Sequence, residues 1–144
     1  MTSGSEKEMD MALRVLFVEH DDEVRSDYHR YFQRQGYDTF GAESAEQCIE
    51  LVQRVQPDVV MLEPEFFDED AMTRVARCLN KYSMPVVFVS RMRKAPHIET
   101  AIPAQAFFFK PVSMRLLGAT LHDVAISSEA AVHHVEQQFV NVVA

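Results

Sequence analysis

The sequence predicts an α/β protein built on a doubly wound, five-stranded parallel sheet. Three observations support this fold class. Five short apolar runs rich in β-branched and aromatic residues recur along the chain, and most are apolar on both faces, as strands buried in a parallel sheet are. Segments with helical spacing of apolar residues separate these runs. Right-handed helical crossovers between parallel strands cover both faces of the sheet.

Length and composition indicate one globular domain. The chain has 144 residues, close to the size of one domain of about 150 residues. Apolar residues make up 47% and charged residues 25%, which argues against disorder over most of the chain. No run approaches the roughly 18 apolar residues of a membrane span. The net charge of −8 and the pI of about 5.2 argue against nucleic-acid binding.

The pattern divides the chain into three parts. Residues 1–11 are polar and acidic and predict a flexible arm without the basic and apolar regions of a secretory signal. Residues 12–127 carry the strand and helix pattern, and residues 128–144 form a C-terminal extension. Cys48 and Cys78 lie in apolar helical patterns without a CxxC spacing, which predicts reduced core thiols in a cytoplasmic protein.

The first strand is predicted at Leu13–Glu19, a short run that is apolar on both faces. Asp21 or Asp22 can accept hydrogen bonds from the first free amides of a following helix. Gly36 provides the residue at which this helix ends.

A weaker second strand is predicted at Tyr37–Ala42. Ser44 and Gln47 match a capping box and open the second helix, which Pro57 ends. The third strand is Asp58–Leu62, again apolar throughout.

The second half of the chain repeats this alternation. Helical spacing over Met72–Leu79 predicts the third helix, and Pro85–Ser90 is the fourth strand. The segment 91–105 contains two prolines and leaves room only for a short helix. Ala106–Lys110 is the fifth strand, and Ser113 caps the helix that follows.

Polar residues stand where four of the predicted strands end. In doubly wound folds the functional site lies outside the carboxyl ends of the strands. Acids, a histidine, a hydroxyl and an amine therefore converge on one small polar pocket: Glu19, His20, Glu63, Ser90 and Lys110.

From about Leu13 to Val124 the chain resembles a response-regulator receiver domain. The resemblance implies the flavodoxin-like receiver fold with strand order 2-1-3-4-5, here followed by an extra C-terminal helix. Five motifs carry it in order: VLFVEHDDEVR, QGYDTFGAESAEQCIELV, PDVVMLE, PVVFVS and AFFFKPV.

In that family a metal held by acids, together with a lysine, neutralises a phosphoryl group transferred to one aspartate, and a hydroxyl and an aromatic ring report it. The resemblance assigns an equivalent to each position of this chain. These are Glu63 for the phosphoacceptor, Glu19 and His20 for the acidic pocket, Ser90 and Phe107 for the switch, and Lys110 for the lysine.

Two of these positions differ chemically from the family pattern. Glu63 is longer than aspartate by a methylene, a shift of about 1 Å that can cost roughly 10²-fold in a tuned reaction. His20 replaces the hard oxygen ligand that Mg²⁺ prefers. We therefore predict a pseudo-receiver without cofactor, metal or enzymatic activity, in which Glu63 pairs with Lys110. It would bind a protein partner through the surface around Phe107 and the helix after Ser113.

Other interpretations remain open at this stage. The chain could be a phosphorylatable receiver with Glu63 as acceptor. It could also be a small metal-dependent hydrolase using Glu19, His20 and Glu63, although no nucleophile–base pair or glycine-rich phosphate loop accompanies them. The same three residues could bind a transition metal, since histidine suits softer ions.

Two charged clusters predict exposed surface. The acids Glu65, Asp68, Glu69 and Asp70 predict a solvated loop or the start of the third helix. The basic group Arg91, Arg93 and Lys94 predicts contact with solvent or with an acidic partner.

The extension from residue 128 to 144 has a narrow apolar stripe at three- and four-residue steps, formed by Val132, Val135, Phe139 and Val142. A stripe of this kind predicts a helix that packs on its own domain, on a second copy in a homodimer, or on a partner protein. We expect protein partners in signalling, and neither nucleic acid nor membrane.

Overall fold

The computed structural model describes residues 12–91, 102 and 104–126. Its strands are β1 Arg14–Val18, β2 Asp38–Ala42, β3 Val59–Leu62, β4 Val86–Ser90 and β5 Ala106–Phe109. Its helices are α1 Asp22–Arg34, α2 Ala45–Val55, α3 Glu69–Lys81 and α4 Met114–Ile126, with a 3₁₀ turn at Pro64–Phe66.

The five strands form one parallel sheet in the order β2-β1-β3-β4-β5. In register, Val18 lies between Ala42 and Leu62. β3 and β4 are buried along their whole length, which is why their sequences lack an alternating pattern. The predicted fold class and the implied strand order are confirmed.

Helices pack on both faces of the sheet. Because successive strand side chains point to opposite faces, Leu16 and Leu62 face α2 and α3, whereas Phe17 and Met61 face α1 and α4. Cys48 and Cys78 are free buried thiols in the first of these cores, as predicted.

Local capping explains where the helices begin. The Asp21 carboxylate accepts from the first amides of α1, and Asp68 does the same for α3. The Ser44 hydroxyl accepts from the Gln47 amide at the start of α2, as predicted, but Gln47 Oε1 accepts from the amide of Glu43, one residue before the cap. The Ser113 hydroxyl accepts from the backbone of Leu116 at the start of α4. The loops that lead from β1 and β3 into helices are therefore held at defined positions.

Several predicted features lie outside the described residues. They are the arm at 1–11, the short helix within 91–105 and the helical extension at 128–144, including Val132, Val135 and Phe139. None of the helices within the described ranges combines the length and the apolar character needed to cross a membrane.

Candidate functional site

The pocket forms where β1, β3, β4 and β5 end at the same edge of the sheet. Glu19 and Glu63 directly follow β1 and β3, Ser90 is the last residue of β4, and Lys110 follows β5. Both acids are almost fully enclosed, with exposed fractions of 2% for Glu19 and 4% for Glu63. Ionised carboxylates at this depth need charged or hydrogen-bonding partners.

Lys110 provides that partner for both acids. Its Nζ donates to Glu19 Oε1 at 3.3 Å and to Glu63 Oε1 at 3.4 Å. The predicted contact between Lys110 and Glu63 is therefore present. Arg91 adds a second cation, since its Nε lies 3.3 Å from Glu63 Oε2. Each oxygen of the Glu63 carboxylate thus has a cationic neighbour.

The loop between β1 and α1 is held by Glu19. Its Oε2 accepts from the backbone N–H of Asp21 at 3.0 Å. Its backbone carbonyl accepts from the Arg25 guanidinium at 2.7 Å, and Arg25 also pairs with Asp22. The Asp21 contact orients the carboxylate of Glu19, and the Arg25 contact holds its backbone.

His20 lies at the rim of the pocket with 39% of its side chain exposed. Its ring stacks on Phe66, with centroids 4.3 Å apart and an interplanar angle of 13°. Its Nδ1 lies 3.4 Å from Glu19 Oε2. One ligand atom from each of Glu19, His20 and Glu63 lies within 4.8 Å of the other two. The stacking of His20 on Phe66 therefore holds the imidazole ring with its Nδ1 next to the Glu19 carboxylate.

Glu65 corrects the sequence analysis, which placed it in a solvated acidic loop or helix start. The 3₁₀ turn that begins at Pro64 directs Glu65 over the pocket instead. The Ser90 hydroxyl donates to Glu65 Oε1 at 2.8 Å, and the backbone N–H of Arg91 donates to Oε2 at 2.7 Å. The available signal in the sequence was an acid three residues after the end of a strand, next to a proline.

The two acids of this turn have opposite pKa shifts. Burial raises the pKa of Glu63, and its hydrogen bond with the Glu65 carboxyl adds to this, while Lys110 only partly offsets it. Burial also opposes ionisation of Glu65, but hydrogen bonds from the Arg91 backbone and the Ser90 hydroxyl hold its pKa below the ordinary value. Glu65 is therefore the carboxylate of the pair, and Glu63 is the group that more readily holds a proton.

Phe107 is a core residue, 5% exposed, on the face of the sheet covered by α2 and α3. Its ring packs edge-on against Phe88 at 5.5 Å and lies 5.0 Å from Phe109. Phe108 points to the opposite core. In the register of β4 and β5, Phe107 lies opposite Phe88, and Phe109 lies opposite Ser90.

A family model described as the response regulator receiver domain matches residues 15–122. The chain belongs to the response regulator receiver domain family. The doubly wound fold and the position of the polar pocket agree with this membership, which confirms the resemblance seen in the sequence.

Solved structures share this fold at low sequence identity. The receiver domain of the Francisella response regulator 1452 is 18% identical, with a TM-score of 0.64, covering 76% of this chain and 93% of its own. The BeF3-activated receiver domain of RstA from Klebsiella pneumoniae is 20% identical, with a TM-score of 0.68 and coverages of 79% and 99%. The receiver domain of NarL from Mycobacterium tuberculosis is 20% identical, with a TM-score of 0.65 and coverages of 79% and 96%.

The pocket does not fit the Mg²⁺ that a receiver domain implies. Mg²⁺ requires a near-octahedral set of oxygen ligands. Here an imidazole stands beside Glu19, and the Lys110 ammonium group bridges Glu19 and Glu63. We therefore assign no step of the function to Mg²⁺.

Proposed function

We propose that this chain is a phosphorylation-independent pseudo-receiver that acts by protein–protein contact in a bacterial-type two-component or related pathway. In this proposal it is a cytoplasmic signalling module and not an enzyme. The observation that carries the proposal is the contact of Glu65 with Ser90 and the Arg91 amide.

Glu65 supports the proposal because it provides a permanent anion at the switch hydroxyl. In receiver domains this hydroxyl reports the phosphoryl group. Here the equivalent hydroxyl, Ser90, already donates to a carboxylate of the same chain. An internal anion of this kind needs no phosphodonor, so the arrangement of Ser90 does not depend on phosphorylation.

Glu63 supports the proposal from the acceptor side. Both of its oxygens lie near cations, Lys110 and Arg91, and its side chain is buried. A nucleophilic carboxylate must be ionised and free to approach phosphorus, and each of these contacts restrains Glu63. The raised pKa also lowers the ionised fraction of Glu63.

The partner surface is proposed around Phe107 and α4. The Phe107 ring contacts Phe109, which lies opposite Ser90 in register, so in this proposal the packing of Phe107 is coupled to the Glu65 contact through Phe109. A partner that contacts this region would meet a single arrangement of the switch residues rather than two. The signal would then be set by the amount of protein or by its availability.

The proposal is tested by incubating the full chain with a small phosphodonor and Mg²⁺, followed by intact mass measurement. We expect no phosphoryl adduct on the wild type. The matched control is the double variant His20→Asp with Glu63→Asp, which restores the oxygen ligands. It is measured with and without Glu65→Ala, which removes the Glu65 carboxylate from the Ser90 hydroxyl. We expect the triple variant to take up phosphoryl groups to the greatest extent.

One result would overturn the proposal: a stoichiometric phosphoryl mass increase on the wild type that disappears in Glu63→Gln. That outcome would make the chain a phosphorylatable receiver with a glutamate acceptor. A mass increase that persists in Glu63→Gln would place the modification elsewhere and leave Glu63 unmodified, as the proposal requires.

A further inference from the structure

A groove runs along the seam between α1 and α4. The part near the pocket has a volume of about 660 Å³ and is lined largely by apolar side chains, chiefly Val24, Tyr28, Tyr31, Val112 and Met114. The part toward the ends of the two helices has a volume of about 290 Å³, and its lining includes Tyr31, Tyr37, Gly118, Ala119 and His122. Tyr31 belongs to both parts and joins them into one groove.

The groove leaves apolar side chains of the core incompletely covered. Five side chains pack on the core beneath α1 and α4 but are only partly buried: Val24, Tyr31, Tyr37, Val112 and Met114. Ile126, the last residue of α4, is 57% exposed. A contiguous apolar row, unlike a single exposed residue, indicates a surface that another element covers.

The residues that follow α4 have the length needed to cover this groove. α1 and α4 both begin beside the pocket, after the ends of β1 and β5, so Ile126 lies at the far end of the groove. At about 1.5 Å per residue, α4 spans about 14 Å from Met114 to Asp123, and a helix from Val132 to Val142 spans about 15 Å. Residues 127–131 leave a connection of ordinary length for two antiparallel helices.

The extension also suits the groove in charge. The described lining of the groove has more basic than acidic side chains: Arg91, Lys110 and Arg115 against Asp27 and Asp123. Residues 127–144 contain two acids, Glu129 and Glu136, and neither lysine nor arginine. The apolar stripe can therefore enter the groove without bringing like positive charges together.

We propose that residues 128–144 fold back as a helix and dock their apolar stripe in the groove between α1 and α4 of the same chain. The antiparallel direction places Val132 at the Tyr37 end of the groove and Phe139 toward Met114. Since α4 belongs to the proposed partner surface, the docked extension would compete with a partner that uses the groove side of this helix. Docking of the extension does not depend on phosphoryl chemistry, so its test and the phosphodonor measurement fail separately.

The test is Ala119→Glu in the full chain, followed by equilibrium urea unfolding. Ala119 is exposed among the described residues. Alanine and glutamate both favour helices, so this change costs little on an open surface. Beneath a docked stripe, the same change would bury a charge among apolar side chains. We expect the urea midpoint to fall by roughly 0.5 M or more.

Two controls separate docking from local effects. Gln53→Glu adds the same charge at an exposed position of α2, on the other face of the sheet, and should leave the midpoint unchanged. The second control repeats Ala119→Glu in a chain that carries Val135→Asp and Phe139→Asp, whose charges prevent docking of the stripe. There we expect Ala119→Glu to leave the midpoint of that background unchanged. We also expect the wild type and Ala119→Glu to have the same mass in sedimentation.

Three results would overturn the inference. The first is a midpoint of Ala119→Glu equal to that of Gln53→Glu in the full chain. The second is an equal loss from Ala119→Glu with and without the stripe substitutions, which would place the cost within α4 itself. The third is a wild-type dimer that Ala119→Glu converts to monomers, which would make a second copy the occupant of the groove.

Discussion

Glu63 and Glu65 are two residues apart in the chain, but the 3₁₀ turn between them gives their carboxyl groups different neighbours. Glu63 is buried between two cations, whereas Glu65 accepts from a hydroxyl and a backbone amide of the next strand's end. Hydrogen bonds to a charged group contribute about 1.5–3 kcal/mol each. The turn therefore links β3 to the end of β4 through one side chain.

Another residue with a shifted pKa, His29, lies on α1, away from the pocket. His29 Nδ1 is 2.7 Å from the Thr39 hydroxyl, and its ring packs edge-on against Phe17. Burial lowers the pKa of His29, and the nearby charge of Arg25 adds to this effect. The folded protein thus favours the neutral imidazole.

We predict that the wild type loses stability relative to His29→Gln as the pH falls below about 6.5. In that range the unfolded chain binds the proton before the folded chain does, so protonation favours unfolding. Urea unfolding at several pH values between about 7.5 and 5 measures the difference in free energy of unfolding. The difference in free energy of unfolding between the wild type and His29→Gln should not change with pH near 7.5. A difference that stays constant down to pH 5 would contradict the prediction.

At the scale of the element, α1 ends in a Schellman motif. The Tyr37 amide donates to the Phe32 carbonyl and the Gly36 amide to the Gln33 carbonyl, both at 3.0 Å. The rings of Phe32 and Tyr37 lie 5.7 Å apart and close the motif with an apolar contact. Gly36 has a φ of +94°, a conformation that side chains with a Cβ rarely adopt. This turn directs the chain from α1 into β2.

We predict that Gly36→Ala lowers the free energy of unfolding by about 1 kcal/mol. Apart from the two chain neighbours of Gly36, no atom of the described residues lies within 4 Å of an added Cβ, so the cost arises from the backbone conformation rather than from a clash. Gly36→Asn is the matched control and should cost less, because asparagine tolerates positive φ. Equilibrium urea unfolding measures both. An alanine variant as stable as the wild type, or an asparagine variant that costs more than alanine, would refute this explanation.

At the scale of the whole molecule, the site depends on the parallel arrangement of the strands. Glu19 and Lys110 are separated by 91 positions in the chain, yet they meet because β1 and β5 end at the same edge of the sheet. α1 and α4 cover one face, and the hydroxyl of Tyr37, in the turn between α1 and β2, donates to the Gly118 carbonyl of α4. The two layers of helices hold the strand ends in register and keep the acids buried.

The extension at 128–144 provides a prediction at this scale. Its apolar stripe is proposed to pack on its own domain or on a second copy, and Val135→Asp with Phe139→Asp would place two charges on that stripe. We expect the double variant to lower either the mass seen in sedimentation or the melting temperature. The first result indicates a dimer through the extension, and the second indicates packing within one chain.

The matched control for this experiment is Glu136→Asp with Gln138→Glu, which alters neighbouring positions outside the stripe. We expect it to leave both the sedimentation mass and the melting temperature unchanged. If the double aspartate variant also changes neither quantity, the stripe has no packing role and the prediction is wrong.

Much of this molecule follows from local patterns in the sequence. The apolar runs predict five strands, capping residues such as Ser44 predict where helices begin, and topological rules place Glu19, Glu63, Ser90 and Lys110 at one edge. These features are predictable because they depend on short-range periodicity and on a small set of allowed connections.

The contacts of Glu65, Arg91 and His20 emerge only in the folded chain. Glu65 stands in an acidic run that looks solvated, yet it meets Ser90 across 25 positions of sequence. Arg91 belongs to a basic cluster with no local acidic partner, yet it reaches Glu63. Such contacts depend on the direction of a 3₁₀ turn and on side-chain orientations across different strands. Local hydrophobic periodicity carries no information about either, so only the tertiary structure could establish them.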